Sequence, residues 1–341
     1  MMEPKNMSLK LLFLLGLLCI LFLINISTGS VYIPLSDVAK SLFTPESAPE
    51  MFSSILWKLR LPKALTGLTT GAALAIAGLL MQTLFRNPLA GPDVLGLSSG
   101  ASLAVAFVLL LGTSGSDYLP GFNAWSLAIA ASVGSGLIFL VILGAAKKIK
   151  DNTSLLIVGL MVAAASGSLV SVLQYLSTAQ DLQAFVMWTL GSIGGTNWNE
   201  VLVITAILVV GIIISVSLTK TLNTWLLGDN YAISLGVNLK KARITMVLVS
   251  SILVGGVTAF CGPIAFVGLA VPHLVRLMVP TTNHKILLPM VMIGGASLML
   301  LCDILTQLPG SSKILPLNAI TSIIGAPVVI WVVLKSRGIR M

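Results

Sequence analysis

Long apolar runs separated by short polar punctuation fill this 341-residue chain, and their spacing predicts helices that cross a membrane. A helix needs roughly 20 predominantly apolar residues to traverse a hydrocarbon core about 30 Å thick. Ten stretches approach that length: 9–26, 61–85, 94–111, 125–146, 153–176, 200–218, 244–260, 263–279, 287–308 and 317–334. The pattern therefore predicts an all-α polytopic protein with ten transmembrane helices in a single domain over residues 1–341. The first run follows Lys5 and Lys10 like the core of a secretory leader. The residues after it, Asn25-Ile-Ser-Thr-Gly-Ser30, lack a small-x-small cleavage site, so the run reads as an uncleaved helix. The eighth run is short and carries Pro272, His273 and Arg276, which also suits a broken or re-entrant helix.

Three polar stretches remain. Gly29 to Arg60 contains Asp37, Glu46, Glu50, Pro45 and Pro49, with room for a short helix over Ser36–Leu42. Ala179 to Asn199 combines Asp181, Gln183, three glycines and Trp198, which predicts a short interfacial helix. Lys220 to Arg243 is too polar to span and is the stretch best suited to receive a docking partner.

Composition narrows the class. With 56% hydrophobic and 9% charged residues, a water-soluble enzyme is excluded. The net charge of +9 does not gather on one face as nucleic-acid binding requires, because the basic residues punctuate the apolar runs. Sorted by ten crossings from an internal amino terminus, 15 of the 20 Lys and Arg fall inside, and only Lys40, Lys58, Arg60, Lys63 and Lys313 fall outside. That asymmetry follows the positive-inside tendency, whereas nine crossings would export the basic tail. The eighth run is accordingly expected to cross.

Candidate chemistry is sparse. A phosphate-cradling loop needs a Gly-Lys pair, and the chain contains none, so this polypeptide is not expected to hydrolyse ATP. Cys19, Cys261 and Cys302 lie singly in separate apolar runs, without a partner at disulfide or metal spacing. Arg276 and Asp303, in adjacent spans, are the nearest approach to an intramembrane charge relay, although both can also snorkel from near an interface. Gly67, Gly71, Ala75 and Gly78 share one side of the second span and predict close helix packing.

Several tracts carry a resemblance. Arg60-Leu-Pro-Lys63, Gly71-Ala-Ala-Leu-Ala-Ile-Ala-Gly78, Gln82, Arg86-Asn-Pro-Leu-Ala-Gly-Pro92, Leu95-Gly96 and Ser98-Ser-Gly-Ala101 form one cluster. Gly262-Pro-Ile-Ala-Phe-Val-Gly-Leu-Ala-Val-Pro-His273, Arg276, His284, Leu287-Leu-Pro289, Asp303, Leu315-Pro316, Thr321, Ile324-Gly-Ala-Pro327 and Trp331 form a second. Together they resemble the FecCD family, the permease subunits of binding-protein-dependent ABC importers for iron chelates, haem and cobalamin. The resemblance implies a bacterial cytoplasmic (inner) membrane protein with both termini cytoplasmic, and inverted repeats relating helices 2–5 to helices 7–10. It implies a second permease copy in a homodimer, two cytosolic ATPase subunits that carry ATP and Mg, an external substrate-binding protein, and membrane lipid as surroundings. The expected cargo is an iron chelate of the siderophore class, with haem and cobalamin as alternatives. An ion-coupled secondary transporter is the reading from a different class, and it is disfavoured by the shortage of buried acids.

The resemblance also implies roles. Leu226 to Asn238 looks like two short coupling helices that meet the ATPase, with Gly228 and Asp229 starting the first, Ala232 within it, Leu235 ending it and Gly236 turning the chain. Arg60 and Lys63, one turn apart around a proline, are positioned to dock carboxylates of the external protein, or else to anchor the helix by snorkelling. Gln307 and Ile314 stand where relatives often have an arginine and an acid, and Lys313 is the candidate substitute. The cytoplasmic gate is expected at Asn87 and Leu89 and at Asn152 and Thr153, although Asn87 can simply organise a turn and Asn152 simply cap a helix. Ala164, Ser168, Ser171 and Tyr175 form a small, polar stripe on the fifth span that suits either a pathway wall or a packing face.

Overall fold

The computed structural model describes residues 4–29, 31–44, 48–111, 124–149, 151–307 and 314–335. Its axis is α4 (Leu61–Phe85), buried along almost its whole length. A helix that is apolar all round belongs at the centre of a bundle. Around it pack α1 (Pro4–Ser27), α5 (Leu97–Leu111), α6 (Ala124–Lys148), α7 (Asn152–Leu176), α9 (Trp198–Trp225), α11 (Leu239–Cys261), α12 (Val267–Met278), α13 (His284–Thr306) and α14 (Leu317–Lys335). Short helices α2 (Leu35–Phe43), α3 (Glu50–Ile55), α8 (Ala179–Thr189) and α10 (Asp229–Ser234) lie between them. Among the described residues there are seven helical stretches long and apolar enough to cross a membrane, and three shorter apolar helices at 97–111, 267–278 and 317–331. The chain is an all-α polytopic protein.

Glycines set how close the helices come. A Cβ on Gly71 would collide with the Gly295 carbonyl oxygen of α13, and one on Gly78 with the Gly268 carbonyl oxygen of α12. Backbones meet there with no room for a side chain, as the small-residue stripe predicted.

Several boundaries differ from the sequence reading. α4 does not begin freely at Leu61: α3 and a π-turn over Leu56–Arg60 run directly into it, so the helical stretch extends from Glu50 to Phe85. α9 and α11 each extend into the expected 220–243 loop and leave about a dozen residues, 226–238, between them. The eighth apolar run is not one continuous helix. Gly262 to Phe266 is non-helical, with Phe266 at φ 67°, and α12 has only 12 residues, which span about 18 Å at 1.5 Å per residue. The third run is similar. After α4 ends at Arg86 in the left-handed region, residues 87–96 form turns and a single 3-10 turn (Pro92–Leu95) before the 15-residue α5. The two interrupted segments meet beside α4, since Gly268 of α12 approaches both the Leu74 carbonyl of α4 and the Pro92 ring.

Basic residues sort to one end. Lys147 and Lys148 end α6, Lys240 and Lys241 start α11, and Arg276 and Lys285 flank the turn from α12 to α13, on the end where α4 finishes at Arg86. Lys58, Arg60 and Lys63 lie at the start of α4, the opposite end.

Candidate functional site

At the basic end, α10 projects between α9 and α11 and is built by local rules. Gly228 holds φ 110°, which an L side chain rarely adopts, and hands the chain into Asp229. The helix closes with a Schellman arrangement: Gly236, at φ 81°, donates its N–H to the Ile233 carbonyl, and Val237 donates to that of Ala232. Ala232 is fully buried against the bundle, whereas Leu227, Tyr231, Ile233 and Leu235 point outward, each about 60% exposed. Four large apolar side chains thus crown the polar end of the protein, as a partner-binding surface would require. The expected boundaries of the first coupling helix match α10. A second short coupling helix is absent, because Asn238 caps the long α11 directly, its side chain accepting from Lys241 N–H at 3.0 Å.

Arg86 fastens this projection to the core. From the C-cap of α4, its guanidinium donates to the Trp225 carbonyl at 3.0 Å and pairs with Asp229. The ion pair is half exposed and contributes at most about 1 kcal/mol. Its value is geometric, since one side chain links the end of the central helix to both sides of α10's entry turn. Nearby, Thr83 and Asn223 bind the two ring nitrogens of His284, each at 2.8 Å, joining α4, α9 and α13. Arg276 donates to Gln82 Oε1 at 2.6 Å, and Gln82 donates to the Leu269 carbonyl at 3.1 Å. His273 Nε2 meets the Pro88 carbonyl at 2.8 Å. The turn after α4 is therefore held from α10 on one side and α12 on the other.

Within that turn Asn87 accepts the Leu89 N–H at 2.9 Å, an Asx turn that leaves Leu89 40% exposed. Asn87 organises the turn, and Leu89 is its free apolar tip. Asn152 does not cap α7, contrary to that alternative. Asp151 is the N-cap, its carboxylate accepting from Ser154 N–H at 2.7 Å, and this bond holds its pKa below the ordinary carboxylate value. Thr153 is exposed in the first turn. On α7, Ser168, Ser171 and Tyr175 are all exposed, and the two hydroxyls donate to the carbonyls of Ala164 and Gly167 at 3.0 and 3.1 Å. The stripe therefore faces out of the single chain with its hydroxyls already satisfied.

At the opposite end the predicted docking cations are largely occupied. Arg60 is only 8% exposed and donates to the Val31 carbonyl at 2.6 Å. Lys63 pairs with Asp303 at 2.9 Å, with the carboxylate 3% exposed. Asn25 and Gln307 donate to the other Asp303 oxygen at 2.8 and 3.2 Å. Arg276 and Asp303 do not form a relay: Arg276, on α12, binds Gln82, whereas Asp303, near the C-terminal end of α13, binds Lys63, Asn25 and Gln307. Lys313 lies outside the described residues.

A buried helical axis, two interrupted half-length helices and an apolar-tipped projection define a polytopic transport subunit. The FecCD transport family model matches residues 17–335, and the chain belongs to that family. It is the permease of an ABC importer and not an enzyme, ATP hydrolysis residing on a separate subunit. It is 36% identical over 332 residues, 96% of each chain, to the hemin transport system permease protein HmuU of Yersinia pestis. It is 36% identical over 336 residues, 98% of each chain, to the vitamin B12 import system permease protein BtuC of Shigella boydii. A solved metal-chelate type ABC transporter in an inward-facing conformation superposes with a TM-score of 0.84 at 30% identity, covering 98% of this chain and all of that one.

Sequence spacing could not reveal that Arg86 reaches Asp229, that Asp151 is the cap, or that Lys63 is neutralised from the far end of the chain. The resemblance did mark Arg86, Gln82, Arg276 and His284, without assigning their contacts.

Proposed function

We propose that this permease imports an iron chelate of the siderophore class across the bacterial cytoplasmic membrane, as a homodimer embedded in lipid. In this reading ten segments cross the bilayer with both termini cytoplasmic, and two half-length elements supply the third and eighth. Two ATPase subunits, which bind the ATP and Mg, seat on α10, and an external binding protein delivers cargo at the Arg60 end. The observation that carries the reading is α10 itself: an apolar-tipped projection locked by Arg86 to the central helix transmits force as a rigid lever. Leu89 and Thr153 gate the pathway at the α10 end, and the exposed Ser168, Ser171 and Tyr175 face of α7 lines it. The haem and B12 permeases match this chain equally at 36% identity, so relatedness alone favours neither cargo.

The test is co-purification of the ATPase with membrane-inserted permease. Deleting Gly228–Leu235, or combining Tyr231→Asp with Leu235→Asp, should reduce recovered ATPase at least about tenfold, since desolvating a charge at an apolar contact costs more than 1.4 kcal/mol. Normal recovery after the deletion would remove α10 from the interface.

A further inference from the structure

A cavity of about 460 Å³ lies where the two interrupted segments meet, lined by Asp93, Ser98 and Ser102 from one and Pro263 to Ala265 from the other. Gln174 of α7, Thr189 of α8 and Asn318 of α14 add polar groups to its wall. Its depth can be read from two independent contacts. Pro92, next to Asp93, packs at the level of Gly268 and Leu74, close to the midpoint of the 25-residue α4. Gly96 lies against Gly159 and Ala163, close to the midpoint of the 25-residue α7. Asp93 therefore stands near mid-membrane, yet its side chain is exposed, accepting one hydrogen bond at 2.8 Å from the Ser98 hydroxyl. A carboxylate at that depth is costly unless it faces water or a cation. No Lys or Arg lines the cavity among the described residues.

We infer that this cavity is a cation-selective way station on the import route, with Asp93 as its specificity-determining residue, admitting cationic or neutral hydroxyl- and amide-bearing chelates and disfavouring anionic ones. The inference rests on the importer reading and narrows its substrate class. Trihydroxamate ferric complexes, which are neutral or carry a positive charge, fit the site. Tris-catecholate complexes and haem, with their anionic groups, do not. A unit charge several ångströms away in a partly solvated cavity shifts the local concentration of a monovalent ion by about tenfold.

The experiment uses the full permease–ATPase complex in lipid nanodiscs carrying Cys19→Ser and Ser102→Cys, since Cys261 and Cys302 are buried. The probes are a cationic and an anionic methanethiosulfonate of matched size, with rates normalised to a free small thiol and corrected for labelling without Ser102→Cys. The cationic reagent should react about tenfold faster than the anionic one. Adding Asp93→Asn should bring the normalised ratio to about one, while Asp93→Glu should keep it. A ratio unchanged by Asp93→Asn, or no labelling of Ser102→Cys at all, would overturn the inference. Co-purified ATPase, measured on the same samples, reports on the importer reading separately.

Discussion

Asp303 shows how a residue's role depends on what the fold brings to it. Its carboxylate is buried with Lys63, Asn25 and Gln307, so α1 and α4, both distant in sequence, converge on one charge at the end of α13. Removing one partner of a buried pair leaves an uncompensated charge and costs about 3–5 kcal/mol, whereas removing both is often nearly neutral. Lys63→Met should lower the apparent Tm of the purified protein markedly, and Lys63→Met with Asp303→Asn should recover most of the loss. Thermal unfolding in detergent measures both. Equal Tm values for wild type and Lys63→Met would show that the pair contributes nothing to the bundle. The sequence marks Lys63 as a docking cation or a snorkelling anchor, and the fold pairs it with Asp303. The sequence could not mark the ion pair, because charge pairing between segments hundreds of positions apart leaves no local signal.

At the scale of elements, apolar length and glycine spacing were the most legible features. The stripe at Gly71 and Gly78 predicted backbone contact, and contact is what the bundle has. Breaks inside apolar runs were less legible, since 94–111 and 263–279 are hydrophobic throughout whether or not the backbone is helical. Asp93, just before the 94–111 run, carries no local signal of its depth, which follows from the return of the chain toward the middle of α4 after Arg86. Capping was legible by type and not by position: the short polar stretch before α7 predicted a cap, and Asp151 takes the role in place of Asn152. Because the Ser154 N–H lowers the Asp151 pKa in the folded state, that cap stabilises α7 above the ordinary carboxylate pKa and is lost as pH falls through the lower folded value. Hydrogen exchange at Ser154 should lose protection, relative to intrinsic rates, as the pH drops below about 4. The Asp151→Asn variant should show no such pH dependence. An identical pH profile for the two would assign the protection to something other than the carboxylate.

The whole molecule is a close-packed bundle around α4 with one short helix projecting at its basic end. α4 is packed against α11, α12 and α13, and its end is tied through Arg86 to the entry turn of α10, which carries exposed apolar side chains at the basic end. Motion imposed on α10 must therefore reach the turn holding Leu89 and, through His273 and Arg276, the half-length α12. Both interrupted elements border the Asp93 cavity, so a displacement passed along this route would reach the proposed gate and the proposed way station together. If ATP drives transport through α10, vesicle uptake reports it directly. With ATPase, external binding protein and radiolabelled ferric trihydroxamate, uptake should require hydrolysable ATP, persist when ion gradients are collapsed, and vanish on deletion of Gly228–Leu235. Accumulation driven by an ion gradient in vesicles lacking the ATPase would instead make the protein an ion-coupled carrier.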